Sequence, residues 1–152
     1  MSAAPLTECV QQELHLTERL LEVLREEESM LLAHQIDALP TCTQGKSKLV
    51  AEFFVLRQRR LGNLARLGLP AEDASMLSWL ERDADEASRS LWETLLRQLA
   101  VAKELNRTNG LLIHQLSMRN RSALQALQAH DPPRLYGPYD QGARRSTFTV
   151  LG

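Results

Sequence analysis

Residues 6–36 read LTECVQQELHLTERLLEVLREEESMLLAHQI, and the spacing of their apolar side chains decides the fold class. Val10, Leu14, Leu21, Leu24 and Leu31 fall on alternating three- and four-residue steps that Thr17 and Glu28 complete, the repeat of one face of an α-helix. A second set, Leu16, Leu20, Val23 and Leu32, widens the stripe, as expected for a helix with neighbours on two sides. Asp37 is placed to cap a second helix. Pro40 is tolerated in that helix's first turn, and Leu49, Val50, Phe53, Leu56, Leu61, Leu64 and Leu67 carry the pattern on. So short a connection makes the two helices pack antiparallel.

Gly68-Leu69-Pro70 supplies a C-terminal glycine cap and a proline stop. A short helix from Glu72 to Arg82 follows, its Met76, Leu77, Trp79 and Leu80 forming a hydrophobic plug. The last helix is expected to begin between Ala84 and Ser88. It runs to about Ala129 through Leu91, Leu95, Leu99, Ala102, Leu105, Leu112, Leu116, Ala123 and Leu127, with one interruption at Gly110. Asp131-Pro132-Pro133 ends it, and residues 134–152 have no helical period. The expected fold is all-α: an antiparallel helical hairpin plus a long C-terminal helix, forming an elongated helical bundle or coiled coil. One helical domain occupies residues 1–131, and an irregular tail occupies residues 132–152.

Composition agrees. At 152 residues with 43% apolar and 24% charged residues, the chain suits one domain with an ordinary core. Its few aromatics and its many Leu, Ala, Gln, Glu and Arg favour helices, in which those side chains lose little rotamer freedom. A net charge of −1 gives no basic field for nucleic acid. No run approaches the roughly 20 apolar residues that span a bilayer, and Met1-Ser2-Ala3-Ala4-Pro5 lacks the basic start of a signal peptide, so a cytoplasmic protein is expected. Cys9 and Cys42 make no disulfide framework and are read as reduced thiols.

Charge is uneven along the chain. Residues 1–40 hold eight acids and two bases, and residues 41–70 hold one acid and six bases. In an antiparallel hairpin, Glu22, Glu26, Glu27 and Glu28 face the region of Lys46, Lys48 and Arg57. Exposed pairs contribute only ~0.2–1 kcal/mol each, so a solvated charged face is expected.

Candidate chemistry is sparse. Gly45-Lys46-Ser47 has the ending of a phosphate-binding loop, but Pro40 stands where the first glycine belongs and no strand precedes it; Lys46 is read as a surface residue. His15, His34, His114 and His130 are scattered, without zinc-ligand spacing or a Glu-x-x-His pair for a di-metal bundle site. Neither an acid set in an apolar run nor a nucleophile elbow is present. The expectation is a non-enzyme without cofactor or metal.

The segment Leu105-Asn106-Arg107-Thr108-Asn109-Gly110-Leu111-Leu112-Ile113 is the most informative. Asn and Gly in a helix interior cost ~0.5–1 kcal/mol each relative to Ala, yet the apolar pattern continues through them. Asn106 and Asn109 lie one turn apart on one face, where they can hydrogen-bond a facing helix and fix its register, and Gly110 permits close approach of another backbone.

The whole chain resembles the FlgN family. It shows a long first helix, a tight return, a Leu-Gly-Leu-Pro break at residues 67–70, then a long helix carrying Asn-x-x-Asn-Gly-x-Leu-Ile, here residues 106–113. The tail Leu135-Tyr136-Gly137-Pro138-Tyr139-Asp140-Gln141-Gly142 is similar to the Tyr-Gly and Asp-x-Gly turns of that family. The resemblance implies an export chaperone for the hook–filament junction proteins of the bacterial flagellum. Such a chaperone binds their C-terminal segments, prevents premature assembly and delivers them to the type III export apparatus. A helix apolar on more than one face suits that task, since it keeps surface for a client's amphipathic helix. The expected client-binding residues are Asn106, Asn109, Gly110, Leu112, Ile113, Leu116, Leu124 and Leu127, with Tyr136 and Tyr139 as tail contacts to the export machinery. A coiled-coil homodimer without a client is the alternative use of the same stripe.

Overall fold

The computed structural model describes residues 4–130. Its elements are α1 (Ala4–Leu32), a 3-10 turn (Ile36–Ala38), α2 (Leu39–Arg66), α3 (Ser75–Arg82) and α4 (Glu86–His130). No strand occurs among the described residues, so the chain is the all-α helical bundle its periodicity implies. The tail from residue 131 onward lies outside the described residues. The chain divides into two units, Met1–Asn109 and Gly110–Gly152.

Backbone chemistry makes the two returns. At the end of α1, His34 takes a left-handed φ of 55°. Gln35 N–H then reaches the Met30 carbonyl at 2.9 Å and His34 N–H reaches that of Leu31 at 3.3 Å, the paired bonds of a Schellman cap. The end of α2 repeats the device with the expected residue. Gly68 has a φ of 81°, with Leu69 N–H on the Leu64 carbonyl at 3.1 Å and Gly68 N–H on that of Ala65 at 3.0 Å. Asp37 is not the cap of α2: it lies in the 3-10 turn, whose last residue Ala38 feeds α2 in a helical conformation without a side-chain cap bond. Pro40 does sit in the first turn, as expected. At the start of α4, Asp85 Oδ1 accepts the Ser88 N–H at 2.8 Å, an N-terminal cap.

The first unit is built on two apolar clusters. One joins Leu6 and Val10 of α1 and Leu61 and Leu64 of α2 to Met76, Trp79 and Leu80 of α3 and Trp92 and Leu95 of α4. The other joins Leu21 and Leu24 to Ala102, with Leu20 and Leu105 against them. The plug of α3 is real but starts at Ser75, not Glu72, and Leu77 is 63% exposed because it points away from the side shared by Met76, Trp79 and Leu80. Cys9 and Cys42 are free and buried, and burial raises both thiols above their ordinary pKa.

In this unit α4 presents its covered face in alternating four- and three-residue steps, through Trp92, Leu95, Leu99, Ala102, Asn106 and Asn109, each buried or half-buried. Gly110 does not interrupt the helix. A Cβ added there would meet nothing within 4 Å, so among the described residues no backbone approaches it closely.

Candidate functional site

The two asparagines picked out by their helix cost are held inside the first unit. Asn109, fully buried, donates from Nδ2 to the Leu24 carbonyl at 2.9 Å and to Glu27 Oε1 at 3.0 Å. Lys46 Nζ donates to both Glu27 oxygens at 3.1 and 3.2 Å and to Asn106 Oδ1 at 3.1 Å. One layer thus ties α1, α2 and α4 together through a carboxylate, an ammonium and two amides. The charged-face expectation is corrected here. Glu27 is 0% exposed, and Lys46 belongs to a largely buried ion pair, because a seam carboxylate is tolerable once a cation and an amide donor meet it. Asn109 Oδ1 is buried without a hydrogen-bond partner among the described residues.

A second polar layer lies nearer the large cluster, and the sequence reading missed it. Glu13, fully buried, takes two hydrogen bonds from Arg60 Nε at 2.9 and 3.1 Å. Arg60 Nη2 also donates to Asp73 at 2.9 Å, and its guanidinium lies 4.9 Å from the ring centroid of Trp92. Arg57 donates to the same Asp73 from its Nε and Nη2. Burial raises the Glu13 carboxyl above its ordinary value, with Arg60 opposing it. For Asp73 burial also works to raise the pKa, but the hydrogen bonds from Arg57 and Arg60 outweigh it and hold it low. The signal available in the sequence was spacing: Glu13 falls between Val10 and Thr17 on the buried face of α1.

The second unit contributes the other candidate residues. Gly110 is exposed; Leu112, Ile113 and Leu116 are half-buried. Every described side chain from Ser117 to Ala129 is exposed, with Leu124 at 58% and Leu127 at 68%. Leucines left this open on a helix make an apolar surface outside the core. Asn106 and Asn109 are therefore not on a free surface: both are engaged with α1 and α2. Tyr136 and Tyr139 lie outside the described residues. Among the described residues no group of three or more His, Cys, Asp or Glu is placed to hold a metal, and no helix is long and apolar enough to cross a membrane.

Comparison with known proteins matches the chain to one family. The family model FlgN, described as FlgN protein, matches residues 1–143. The flagella synthesis protein FlgN of Salmonella typhimurium is 29% identical over 134 residues, covering 87% of this chain and 86% of the relative. The protein of the same name from Yersinia enterocolitica is 29% identical over 129 residues, covering 84% and 82%. No solved structure matches the chain. A match over residues 1–143 spans both polar layers and the open leucines of α4, and on it the chain belongs to the FlgN family.

Proposed function

We infer that this protein is a flagellar export chaperone. It works in the cytoplasm, holds the C-terminal amphipathic segments of hook–filament junction proteins, keeps them from assembling early and hands them to the type III export apparatus. The observation that carries the reading is the open apolar surface of α4 beyond Asn109, whose Leu124 and Leu127 are more than half exposed. Leu112, Ile113, Leu116, Leu124 and Leu127 make the client surface, and Gly110 leaves room beside it. Asn106 and Asn109 act by fixing α4 to the hairpin, and Tyr136 and Tyr139 serve the hand-over to the export machinery.

An open surface suits the task, since a client held by apolar contact on one side is protected yet can be released. Pull-down from motile cells, followed by calorimetry with the purified client segment, tests the reading. Junction proteins should co-purify and bind with micromolar or tighter affinity. A concentration-independent dimer that captures no flagellar protein would sink it in favour of the homodimer.

A further inference from the structure

The step of α4 does not stop where the first unit ends. After Asn106 and Asn109, the alternating four- and three-residue spacing continues through Ile113, Leu116, Asn120, Ala123 and Leu127. This seam therefore carries three asparagines. Two are covered, and each meets a charged side chain of the hairpin: Lys46 for Asn106 and Glu27 for Asn109. The third, Asn120, is exposed, with Arg119 and Arg121 flanking it at roughly 100° to either side around the helix.

Charge separates the possible occupants. Residues 110–130 hold Arg119 and Arg121 and no carboxylate, whereas α1, whose side chains bond the covered asparagine, holds seven glutamates against two arginines. The chain's own residues 132–152, with three arginines against Asp140, repel that segment, and the same segment of a second copy would set arginine against arginine. A helix with the character of α1 fits.

Resting on the chaperone reading, we propose that the seam from Ile113 to Leu127 takes one acidic amphipathic helix of the client, with a glutamate of its apolar stripe opposite Asn120. The contact repeats the Asn109–Glu27–Lys46 layer between two chains, with Asn120 as the amide and Arg119 or Arg121 as the cation. Asn120 is thereby a specificity-determining residue. A stripe leucine facing it leaves the amide desolvated without a partner, whereas a glutamate satisfies both it and the arginines.

Three synthetic helical peptides with the same leucine stripe test this by calorimetry against the full chain. One has a central glutamate and acidic flanks, the second a central leucine and acidic flanks, the third a central glutamate and lysine flanks. At low salt the first should bind about tenfold tighter than the third and several-fold tighter than the second. Asn120→Leu, a change at an exposed position that circular dichroism should find folded, should abolish the preference for glutamate over leucine at the centre. Equal binding of all three peptides overturns the proposal while leaving the chaperone reading intact; binding by none overturns both. Two further outcomes also overturn it: a dimer in sedimentation that Leu127→Lys dissolves places a second copy on the seam, and a gain in affinity for all peptides on removal of residues 132–152 places the tail there.

Discussion

Two stretches of α4, Glu86–Asn109 and Gly110–His130, share one helical step and both place leucines along it, yet their side chains meet different environments. In the first, Trp92, Leu95 and Ala102 are buried against other helices; in the second, Leu124 and Leu127 stand in solvent. The contrast shows that periodicity selects a face but does not say whether the chain itself covers it. Burying a leucine stabilises by ~1.5–3 kcal/mol; the first stretch realises that in folding, and on the chaperone reading the second keeps it for association. Substitutions in or against the first stretch should therefore be read out as stability, and those in the second as affinity.

The largest break in that pattern is expected at Arg60, which packs over Trp92. Arg60→Met leaves the buried Glu13 carboxylate without its cation and should cost about 3–5 kcal/mol in urea unfolding. Adding Glu13→Leu should restore most of the loss, since an apolar pair replaces an ion pair. If the single variant unfolds at the same urea concentration as the parent, the Glu13–Arg60 layer does not hold the first unit together.

Leucine truncations compare the stretches directly. Leu95→Ala, at 0% exposure, should lose ~2–5 kcal/mol of stability, whereas Leu124→Ala should lose less than ~0.5 kcal/mol. Client affinity should respond in the opposite order. Leu116→Ala and Leu124→Ala should each weaken binding about tenfold with helical content kept and little change between low and moderate salt. Affinity that survives these truncations but collapses with salt would move the client to the charged hairpin.

Asn109→Leu sharpens the boundary between the stretches. It removes the amide donor to Glu27 and to the Leu24 carbonyl, and should cost ~1–3 kcal/mol while the second stretch keeps its exposed leucines. Equal stability in thermal melts would mean that the layer does not fasten α4.

The smallest effect is the pH dependence of the Glu13 layer. The folded-state pKa of Glu13 lies above its ordinary value of 4.5. Its contribution to stability is therefore full below that value and is lost as pH rises through the folded pKa. Melts of Glu13→Gln lack this term, so the parent should lose ground to the variant as pH is raised across that window. Asp73 runs the other way, stabilising above 3.8 and losing that contribution as pH falls. A parent–variant gap that widens in favour of the parent with rising pH would reverse the assignment for Glu13.

Helix number, the tight returns and the start of α4 were legible because each is encoded locally: a stripe at 3.6 residues, Gly68 at a left-handed turn, Asp85 ahead of Ser88. Thr17 was legible as a polar member of the stripe, since it closes its own hydrogen bond on the Glu13 carbonyl at 2.8 Å. Glu13, Glu27 and Arg60 were not, because an ionised side chain scores as solvent-facing until its partner is known, and the partners lie 13 to 82 residues away. The choice of Glu28 over Glu27 as the stripe residue failed for that reason. Gly110 was misread in the opposite sense: a glycine costs a helix little enough for the elements around it to carry the helix through. Of the candidate site, the open leucines follow from the stripe, and the helix cost of Asn106 and Asn109 marks them for a facing helix, but which partners they meet, Lys46 of α2 and Glu27 of α1, required the hairpin to be in place.

The continuity of α4 through Gly110 has a kinetic meaning. An isolated helix the length of Gly110–His130 must first form a nucleus, an event with a weight of only about 10⁻³, and is marginal in water unless packed. Here the first turns are already set by residues docked in the first unit, so the segment only propagates, one hydrogen bond per residue fixed, with Gly110 as its weakest step at ~1 kcal/mol. On the chaperone reading, a client helix meets a template whose nucleation is complete, and only the incoming segment has to order on association. Amide exchange should report this as protection that fades gradually from Gly110 toward His130, without the uniform loss expected of an independent peptide.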